Sequence, residues 1–203
     1  MKFSRFFSNI QETGWYRQFL NPVIDEINSN TKLLDIGTGP GKLIEILSSE
    51  KNVKCTGIDT SADMLEEAEN KLMHTDAELF KIEPNNDLPF RPESFEYVTI
   101  CNVLFNLSRE AVDQLLDELL RVLKENGKII VLTPTGKGNF LKLSREHFTP
   151  KNTSIYVWYF ATKKSAAIWT NKQYLKEYSK KNKLKYEKKI VFKGYAQVEI
   201  LIK

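Results

Sequence analysis

The sequence has 203 residues and a formal net charge of +4. This length suits one domain with a full hydrophobic core and is short for two. No run approaches the ~18 apolar residues that a membrane-spanning helix needs, and polar residues interrupt the N-terminal segment too early for a secretory signal. We therefore expect a single-domain protein of the cytoplasm, with no membrane span.

The charges are distributed unevenly along the chain. Residues 136–203 contain 16 Lys/Arg and 4 Asp/Glu, whereas residues 1–135 contain 14 and 22. A basic region can bind nucleic acid or an acidic substrate, but all of these cations except Arg145 are lysines spread over several predicted elements. Only arginine offers bidentate geometry to phosphate. The pattern favours a solvated surface and disfavours nucleic acid without excluding it.

Cysteine and histidine are too sparse to build a metal site or a disulfide framework. Cys55 and Cys101 lie in apolar, strand-like runs, so we expect both to be reduced core residues. His74 and His147 are isolated from each other and from the cysteines. The sequence therefore predicts no metal.

The elements alternate along most of the chain. An amphipathic helix is predicted over about residues 9–29. Strand-like runs follow at 32–36, 53–58, 78–82, 95–101 and 128–133, and helical patterns lie between them at 42–50, 61–73 and 109–124. Such alternation predicts a parallel, doubly wound sheet. Ser61 and Ser108 are suited to cap the last two of these helices, and Gly127 to end the final one.

The pattern changes after Pro134. Residues 135–168 are aromatic and irregular, and Thr170 is predicted to cap a helix with Gln173 in a capping box. Two β-rich runs around Lys193 and Gly194 predict a hairpin, so the last two strands should be antiparallel to each other. No repeat or linker is visible.

A glycine-rich stretch, LLDIGTGPG at residues 33–41, joins the first strand to the next helix. Such a turn brings backbone N–H groups and a helix N-terminus to an anionic or nucleotide ligand. The dinucleotide fingerprint G-x-G-x-x-G would need its third glycine where this chain has Lys42. The spacing therefore disfavours NAD.

Two carboxylates narrow the choice of ligand. Asp35 lies close to the first glycine, where it would repel a pyrophosphate but tolerate a cationic amino-acid group. Asp59 ends the second strand, where a carboxylate can accept both hydroxyls of a ribose. Together the two acids indicate a nucleoside with a ribose diol and a positively charged tail.

Four segments in order resemble the class I S-adenosylmethionine-dependent methyltransferases, in the small-molecule group that includes quinone-biosynthesis enzymes. They are LLDIGTGPG, GIDTSADML, DLPFRPESFEYVTICNVLFNL and LLRVLKENGKIIVLTP, and they cover about residues 30–135. The resemblance implies a Rossmann-like α/β fold, with a doubly wound, seven-stranded, mostly parallel sheet and an antiparallel last strand. It also implies S-adenosyl-L-methionine as the cofactor and a small-molecule acceptor.

The resemblance further implies a cofactor site. The backbone at Gly37, Gly39 and Gly41 would approach the methionine part, Asp35 would lie near its amino group, and Asp59 would bind the ribose. The implied cofactor-binding residues are Asp35, Gly37, Thr38, Gly39, Gly41, Asp59, Thr60, Met64, Glu83, Asn85, Cys101 and Asn102.

The adenine contacts follow the family less closely. Thr60 and Met64 would flank the adenine. The family commonly has an Asp that faces the adenine amino group at the position of Pro84, so Glu83 or Asn85 would have to replace it. After the fourth strand, the side chains of residues 101 and 102 would reach the methionine carboxylate or amine.

The segment after the cofactor-binding core is expected to cover the acceptor. We expect residues 1–30 to form a helical cap, 31–135 the cofactor-binding core, 136–169 an acceptor lid, and 170–203 the last helix and hairpin. Six consecutive bulky residues at 155–160 exceed what one buried helix face takes, so some should line a pocket or face a partner. Trp15, Tyr16 and Phe19 have helical spacing and are expected to pack in the core. No catalytic residue can be assigned, because methyl transfer from a sulfonium needs little acid-base help.

Three functions remain open. The first is methyl transfer to a small, partly apolar acceptor. The second is methylation of RNA or protein, with the Lys-rich C-terminal region as the docking surface. The chain has CNVLFNL rather than an NPPY-like run after the fourth strand, which disfavours methylation of nucleobase amines. The third is a non-catalytic S-adenosylmethionine-binding protein that acts on a partner through its aromatic segment.

Overall fold

The computed structural model describes residues 3–83, 87–147 and 153–203. The helices are α1 Phe3–Gln11, α2 Gly14–Ile24, α3 Lys42–Lys51, α4 Ala62–Leu72, α5 Arg109–Val122, α6 Phe140–His147, α7 Ser154–Lys172 and α8 Tyr174–Lys181. The strands are β1 Lys32–Ile36, β2 Lys54–Asp59, β3 Glu78–Lys81, β4 Phe95–Cys101, β5 Leu123–Pro134, β6 Lys185–Val191 and β7 Ala196–Ile202.

The seven strands form one sheet in the order β3-β2-β1-β4-β5-β7-β6. Strands β1 to β5 are parallel, whereas β7 is antiparallel to both β5 and β6. The predicted fold class and the C-terminal hairpin are therefore confirmed. The chain order reverses between β1 and β4, and open α/β sheets bind ligands at the carboxyl edge of such a switch point.

Helices cover both faces of the sheet and give two apolar clusters. Buried side chains of α2, α3 and α7 pack on one face, and those of α5 and α8 pack on the other. The predicted caps of α4 and α5 are confirmed, because Ser61 Oγ accepts from Met64 N at 3.3 Å and Ser108 Oγ from Ala111 N at 3.2 Å. These caps fix where the two helices begin.

Two predicted helix boundaries were wrong. One is the end of α5, and the other lies within the predicted N-terminal helix. Helix α5 ends at Val122, and Gly127 lies inside β5, because Leu123 is already extended and pairs with Phe95 of β4. The single N-terminal helix is instead two, α1 and α2. Thr13 separates them, since its backbone is extended and its hydroxyl donates to Ile10 O at 2.6 Å.

The segment after Pro134 differs most from the prediction. The described part of residues 135–168 is largely helical, as α6 and α7, rather than irregular. Thr170 does not cap a helix. It lies within α7, where its hydroxyl donates to Thr135 O at 3.0 Å, and the break falls at Gln173, whose φ is 47°. The predicted capping box is therefore wrong, because a long-range bond from the threonine replaced the local one.

None of the described helices combines the length and hydrophobicity needed to cross a bilayer.

Candidate active site

The glycine-rich turn from β1 to α3 is held against the end of β2. The N–H groups of Gly37 and Thr38 both donate to Ile58 O, at 2.8 and 3.0 Å. Gly37 has φ 67°, and a Cβ on it would lie 2.5 Å from Cγ2 of Val103, which follows β4. A side chain at this position would displace the β4 loop, so glycine lets the two loops approach closely.

Asp59 is oriented by the same turn. Its Oδ2 accepts from Gly39 N at 2.8 Å, and its Oδ1 accepts from Ser61 N at 2.9 Å. Each carboxylate oxygen can accept a further hydrogen bond. The carboxylate is therefore fixed at the carboxyl edge of the sheet and can still bind a diol.

Asp35 is buried on the neighbouring strand. Only 4% of it is exposed, and Thr99 Oγ1 donates to its Oδ1 at 2.7 Å. Burial raises the pKa of this carboxyl to about 6, against an ordinary value of 3.8, because the charged form is poorly solvated there. The site thus holds a carboxylate that a nearby cation would stabilise.

Two cavities lie at this edge of the sheet. The first measures ≈ 540 Å³ and the second ≈ 520 Å³. Gly37, Asp59 and Val103 line both of them, so the cavities meet at the glycine turn. A ligand with two differing ends can therefore lie across the turn with one end in each cavity.

The first cavity contains the residues that follow β2 and β3. Its lining includes Thr60, Glu83 and Asp87 together with the apolar Ile36, Ile58, Ile82, Leu88 and Leu115. Glu83 pairs with Lys81 at 3.2 Å. The apolar walls with acids at the rim suit a flat base that carries amino-group donors.

The second cavity contains most of the predicted methionine-binding residues. Its lining includes Asp35, Gly37, Thr38, Gly39, Asp59, Met64, Cys101 and Asn102. Asn102 has φ 61°, and its Oδ1 is buried without a hydrogen-bond partner among the described residues. Burial raises the pKa of the Cys101 thiol well above its ordinary value, so this side chain is neutral. Asp35 and Asn102 therefore both belong to the lining of the second cavity.

The two cavities do not bring all of the predicted cofactor-binding residues together. Gly41 lines neither cavity, since a Cβ on it would lie 3.0 Å from Leu72 at the packing of α3 against α4. Thr60 and Met64 do not share a cavity, because Thr60 lines the first and Met64 the second. Asn85 lies outside the described residues.

Helix α1 contributes a wall that the sequence reasoning missed. Phe6, Phe7, Ile10 and Gln11 line the second cavity. Gln11 Oε1 accepts from Lys42 N at 3.3 Å, and its Nε2 donates to the Tyr16 hydroxyl at 3.2 Å. These contacts tie α1 to the glycine turn over a long sequence distance, and no local sequence signal predicts them.

Asp87 is a second residue that was missed, although a signal was present. It is an exposed acid three residues after Pro84 and lines the first cavity. Asp87 directly precedes LPF, so its position in the sequence made it a candidate for the family's adenine-contacting Asp alongside Glu83 and Asn85.

The bulky run at residues 155–160 divides between core and surface. Ile155, Trp158 and Tyr159 are buried, whereas Val157 and Phe160 are 51% and 60% exposed. Trp158 packs against Trp15 and Phe19, with ring centroids 5.5 and 5.2 Å apart. Both Val157 and Trp158 line the second cavity, as do Ala161 and Thr162. Helix α7 thus forms part of the wall of the second cavity, and the acceptor lid over residues 136–169 stays a prediction.

The structure also gives the positions of the other aromatic and cysteine side chains that the sequence analysis named. Trp15 and Phe19 are buried in the core, whereas Tyr16 lines the second cavity. Cys55 and Cys101 are free. Among residues 3–83, 87–147 and 153–203, no cluster of His, Cys, Asp and Glu could hold a metal ion. The His147 side chain lies outside what the structure describes.

The sheet order, the glycine turn and the two oriented carboxylates define a class of protein. These features are typical of α/β proteins that bind a nucleotide or nucleoside at the carboxyl edge of the sheet.

The comparisons with known proteins agree with this class. A family model described as a methyltransferase domain matches residues 33–127. Demethylmenaquinone methyltransferase of Thermotoga maritima is 31% identical over 155 residues, which are 76% of this chain and 62% of that protein. The chain spans less than two thirds of the length of the curated relatives that it matches first.

Solved structures share the fold. A SAM-dependent methyltransferase of Aquifex aeolicus has a TM-score of 0.70 at 18% identity, over 100% of this chain and 99% of that one. Phosphoethanolamine N-methyltransferase 2 of Haemonchus contortus, solved with S-adenosyl-L-methionine, has a TM-score of 0.65 at 17% identity, over 100% of this chain and 60% of that one. The present chain thus contains a segment that matches a methyltransferase domain, has the fold of S-adenosylmethionine-dependent methyltransferases and is similar in sequence to quinone-biosynthesis methyltransferases.

Proposed function

We propose that this chain transfers the methyl group of S-adenosyl-L-methionine to a small, partly apolar acceptor. The observation that carries the proposal is the pair of cavities that meet at Gly37, Asp59 and Val103. One cavity suits an adenosine, and the other combines a polar end at the glycine turn with an apolar end under α1 and α7. A cofactor and an acceptor can therefore lie next to each other.

The residues present fit the cofactor. The first cavity would take the adenine, and Asp59 would accept the two ribose hydroxyls while keeping its backbone donors. The methionine end would lie along the glycine turn, with its ammonium group near Asp35. Asp35 would then be ionised, because a cation beside it lowers the pKa of a buried carboxyl.

The chemistry depends on alignment and on exclusion of water. When bound, S-adenosyl-L-methionine supplies an electrophilic methyl group on a positively charged sulfur. The chain's part is to orient the acceptor and to keep the cavity dry, and aromatic walls serve both purposes. The acceptor end is lined by the apolar residues Phe6, Phe7, Ile10, Leu20, Phe105, Val157 and Trp158.

We further propose that residues 136–169 act as the acceptor lid and that α1 closes the opposite wall. Helix α1 is held in place by Glu12 at its end, which pairs with Lys42 at 2.6 Å and also with Lys71. Tyr16 also lines this cavity, and burial raises the pKa of its hydroxyl, so the hydroxyl stays protonated and could donate to an acceptor oxygen.

The acceptor class follows from the relatives. The Thermotoga maritima relative is named as a demethylmenaquinone methyltransferase, and other relatives are named as C-methyltransferases of ubiquinone and menaquinone biosynthesis. We infer a quinone-related aromatic ring as the acceptor. Its flat, apolar shape suits a cavity walled by phenylalanine and tryptophan.

The test is a transfer assay with S-adenosyl-L-methionine labelled on the methyl group and reduced demethylmenaquinone as the acceptor. We expect labelled menaquinol, the reduced product, and one equivalent of S-adenosylhomocysteine, and we expect both to be lost in Asp59→Ala. Labelled RNA or protein from cell fractions, with no labelled small molecule, would instead identify a macromolecular acceptor. Cofactor binding without transfer to any fraction would identify a non-catalytic protein.

A further inference from the structure

Helix α7 presents one face to solvent, which we call the outer face. It consists of Val157, Phe160, Ala161, Lys164 and Ile168, all of them exposed. Their offsets of three, four, seven and eleven residues place them on one side of a helix. The opposite side is buried. The outer face is therefore a continuous apolar stripe with a lysine in its centre.

The outer face carries positive charge without compensating acid on its own helix. The 19 residues of α7 include Lys163, Lys164 and Lys172 and no Asp or Glu. The shallow groove beside Ile168 is also lined by Arg109 and Lys172, and Glu177 is the acid among its lining residues. Exposed apolar side chains between cations have the composition of a surface that binds an anionic lipid interface.

The outer face is continuous with the second cavity. Val157 and Ala161 belong to both, since each is exposed and each lines the cavity wall. Across the cavity, Phe7 of α1 is 38% exposed and lines the facing wall. The apolar surface therefore extends from the helix to the edge of the cavity.

We propose that the outer face of α7 docks on the surface of an anionic lipid bilayer. The helix lies in the interface with Phe160 and Ile168 among the acyl chains and Lys164 at the headgroups, and it does not cross the bilayer. A consequence that rests on the proposed function is that an apolar acceptor passes from the lipid into the second cavity without crossing water.

Two other occupants fit the surface less well. A second copy of the chain, related by a twofold axis through this face, would bring the same lysines against each other, and α7 has no acid to pair with them. RNA would be attracted by the lysines, but exposed isoleucine and valine give nothing to a phosphate backbone or to a stacked base. An anionic bilayer can interact both with the lysines and with the apolar side chains of the outer face.

The experiment is flotation of the full chain with vesicles. One set contains equal amounts of phosphatidylglycerol and phosphatidylcholine, and the other contains phosphatidylcholine alone. The test variants are Phe160→Ser/Ile168→Ser and Lys164→Glu. The matched controls are Met73→Ser/Ile190→Ser, whose side chains are 68% and 60% exposed elsewhere, and Lys54→Glu on the first residue of β2.

We expect the chain to float with the anionic vesicles, and less so at high salt, because exposed charges are screened there. Each test variant should reduce the bound fraction about tenfold, whereas each control should leave it unchanged. Titration with S-adenosylhomocysteine should be the same in all variants, so failure of vesicle binding is separable from failure of the proposed function.

Three results would overturn the proposal. The first is equal flotation of the wild type and Phe160→Ser/Ile168→Ser. The second is concentration-dependent dimerisation in sedimentation velocity that this variant abolishes, which would assign the face to a second copy. The third is RNA binding that Lys164→Glu abolishes while vesicle binding is absent.

Discussion

At the scale of single residues, Asp59 offers the clearest test of the cofactor site. Its carboxylate is positioned by Gly39 N and Ser61 N and lies where both cavities meet. We expect Asp59→Ala to weaken S-adenosylhomocysteine binding by about 1.5–3 kcal/mol, the range for hydrogen bonds to a charged group. Calorimetric titration measures this loss, with the exposed Asp76→Ala as the control. An unchanged affinity would show that Asp59 does not bind the ribose.

Asp35 should make cofactor binding depend on pH. Its carboxyl has a pKa of about 6 in the free protein, and a cationic amino group binds only the ionised form well. Affinity for S-adenosylhomocysteine should therefore be constant between about pH 7 and 8, where the ligand's amino group is still protonated, and fall about tenfold per unit well below pH 6. Titrations across this range check the prediction, and Asp35→Asn should remove the dependence. The account of Asp35 fails if wild type and Asp35→Asn have parallel pH profiles.

The Asp35 carboxyl also affects the stability of the fold, and its contribution to stability decreases with rising pH, whereas its contribution to cofactor affinity increases. Its pKa is higher in the folded chain than the ordinary 3.8, so the folded state binds the proton more tightly. This contribution to the free energy of unfolding is full below pH 3.8, decreases as pH rises to about 6, and is constant above. Urea titrations of wild type and Asp35→Asn at several pH values would separate it from other groups.

Gly37 allows the loop after β1 and the loop after β4 to approach each other closely. An alanine there would place its Cβ 2.5 Å from Val103 and would keep an unfavourable φ of 67°. We expect Gly37→Ala to lower the free energy of unfolding by about 1–3 kcal/mol and to weaken cofactor binding. Gly14→Ala is the control, since a Cβ there meets nothing within 4 Å. Equal effects of the two substitutions would contradict the close approach of the loops.

At the scale of elements, α7 packs some of its side chains in the core and lines the second cavity with others. Trp158 packs on Trp15, Phe19 and Phe192, so Trp158→Ala should cost about 3–5 kcal/mol of stability, measured in urea. Val157 is exposed and lines the cavity, so Val157→Ser should leave stability and S-adenosylhomocysteine affinity nearly unchanged while raising KM for the acceptor. If Val157→Ser changes neither stability nor KM, the acceptor lies elsewhere.

The elements also show what the sequence could and could not predict. Strands, parallel order and the hairpin followed from hydrophobic patterns, and the caps at Ser61 and Ser108 are local signals that the structure keeps. Thr170 carried an equally good local signal, but its hydroxyl donates to Thr135 O, 35 residues away, and the helix continues through it. Local cap chemistry predicts a boundary only where tertiary contacts do not replace it.

The sequence indicated some residues of the candidate site and missed others, because contacts between residues far apart in the sequence also determine which side chains line the site. Asp35, Gly37, Gly39 and Asp59 are adjacent to strand ends, so parallel pairing alone brings them together. Helix α1 reaches the site only through the contact of Gln11 with Lys42, which no sequence period encodes. The separation of Thr60 from Met64 likewise depends on how α4 leaves β2, and spacing along the chain does not specify it.

At the scale of the whole molecule, the wall of the second cavity includes residues of α1 and α7, one helix before and one after the segment shared with other methyltransferases. Helix α1 and helix α7 lie outside the segment that matches the methyltransferase domain, residues 33–127. Solved methyltransferases share the sheet at under 20% identity. This arrangement explains why sequence motifs indicated the predicted cofactor-binding residues. The residues of α1 and α7 that line the second cavity could be identified only from the packing of these helices.

The most direct test of the central claim is thermal unfolding of the wild-type chain with S-adenosylhomocysteine and, separately, with NAD. A ligand that binds only the folded state stabilises it by about 2.7 kcal/mol at one hundred times its Kd. The site has an acid beside the glycine turn and Lys42 in place of the third fingerprint glycine, so we expect a clear rise in Tm with S-adenosylhomocysteine and none with NAD. Equal shifts with the two ligands, or no shift with S-adenosylhomocysteine, would contradict the assignment of the site.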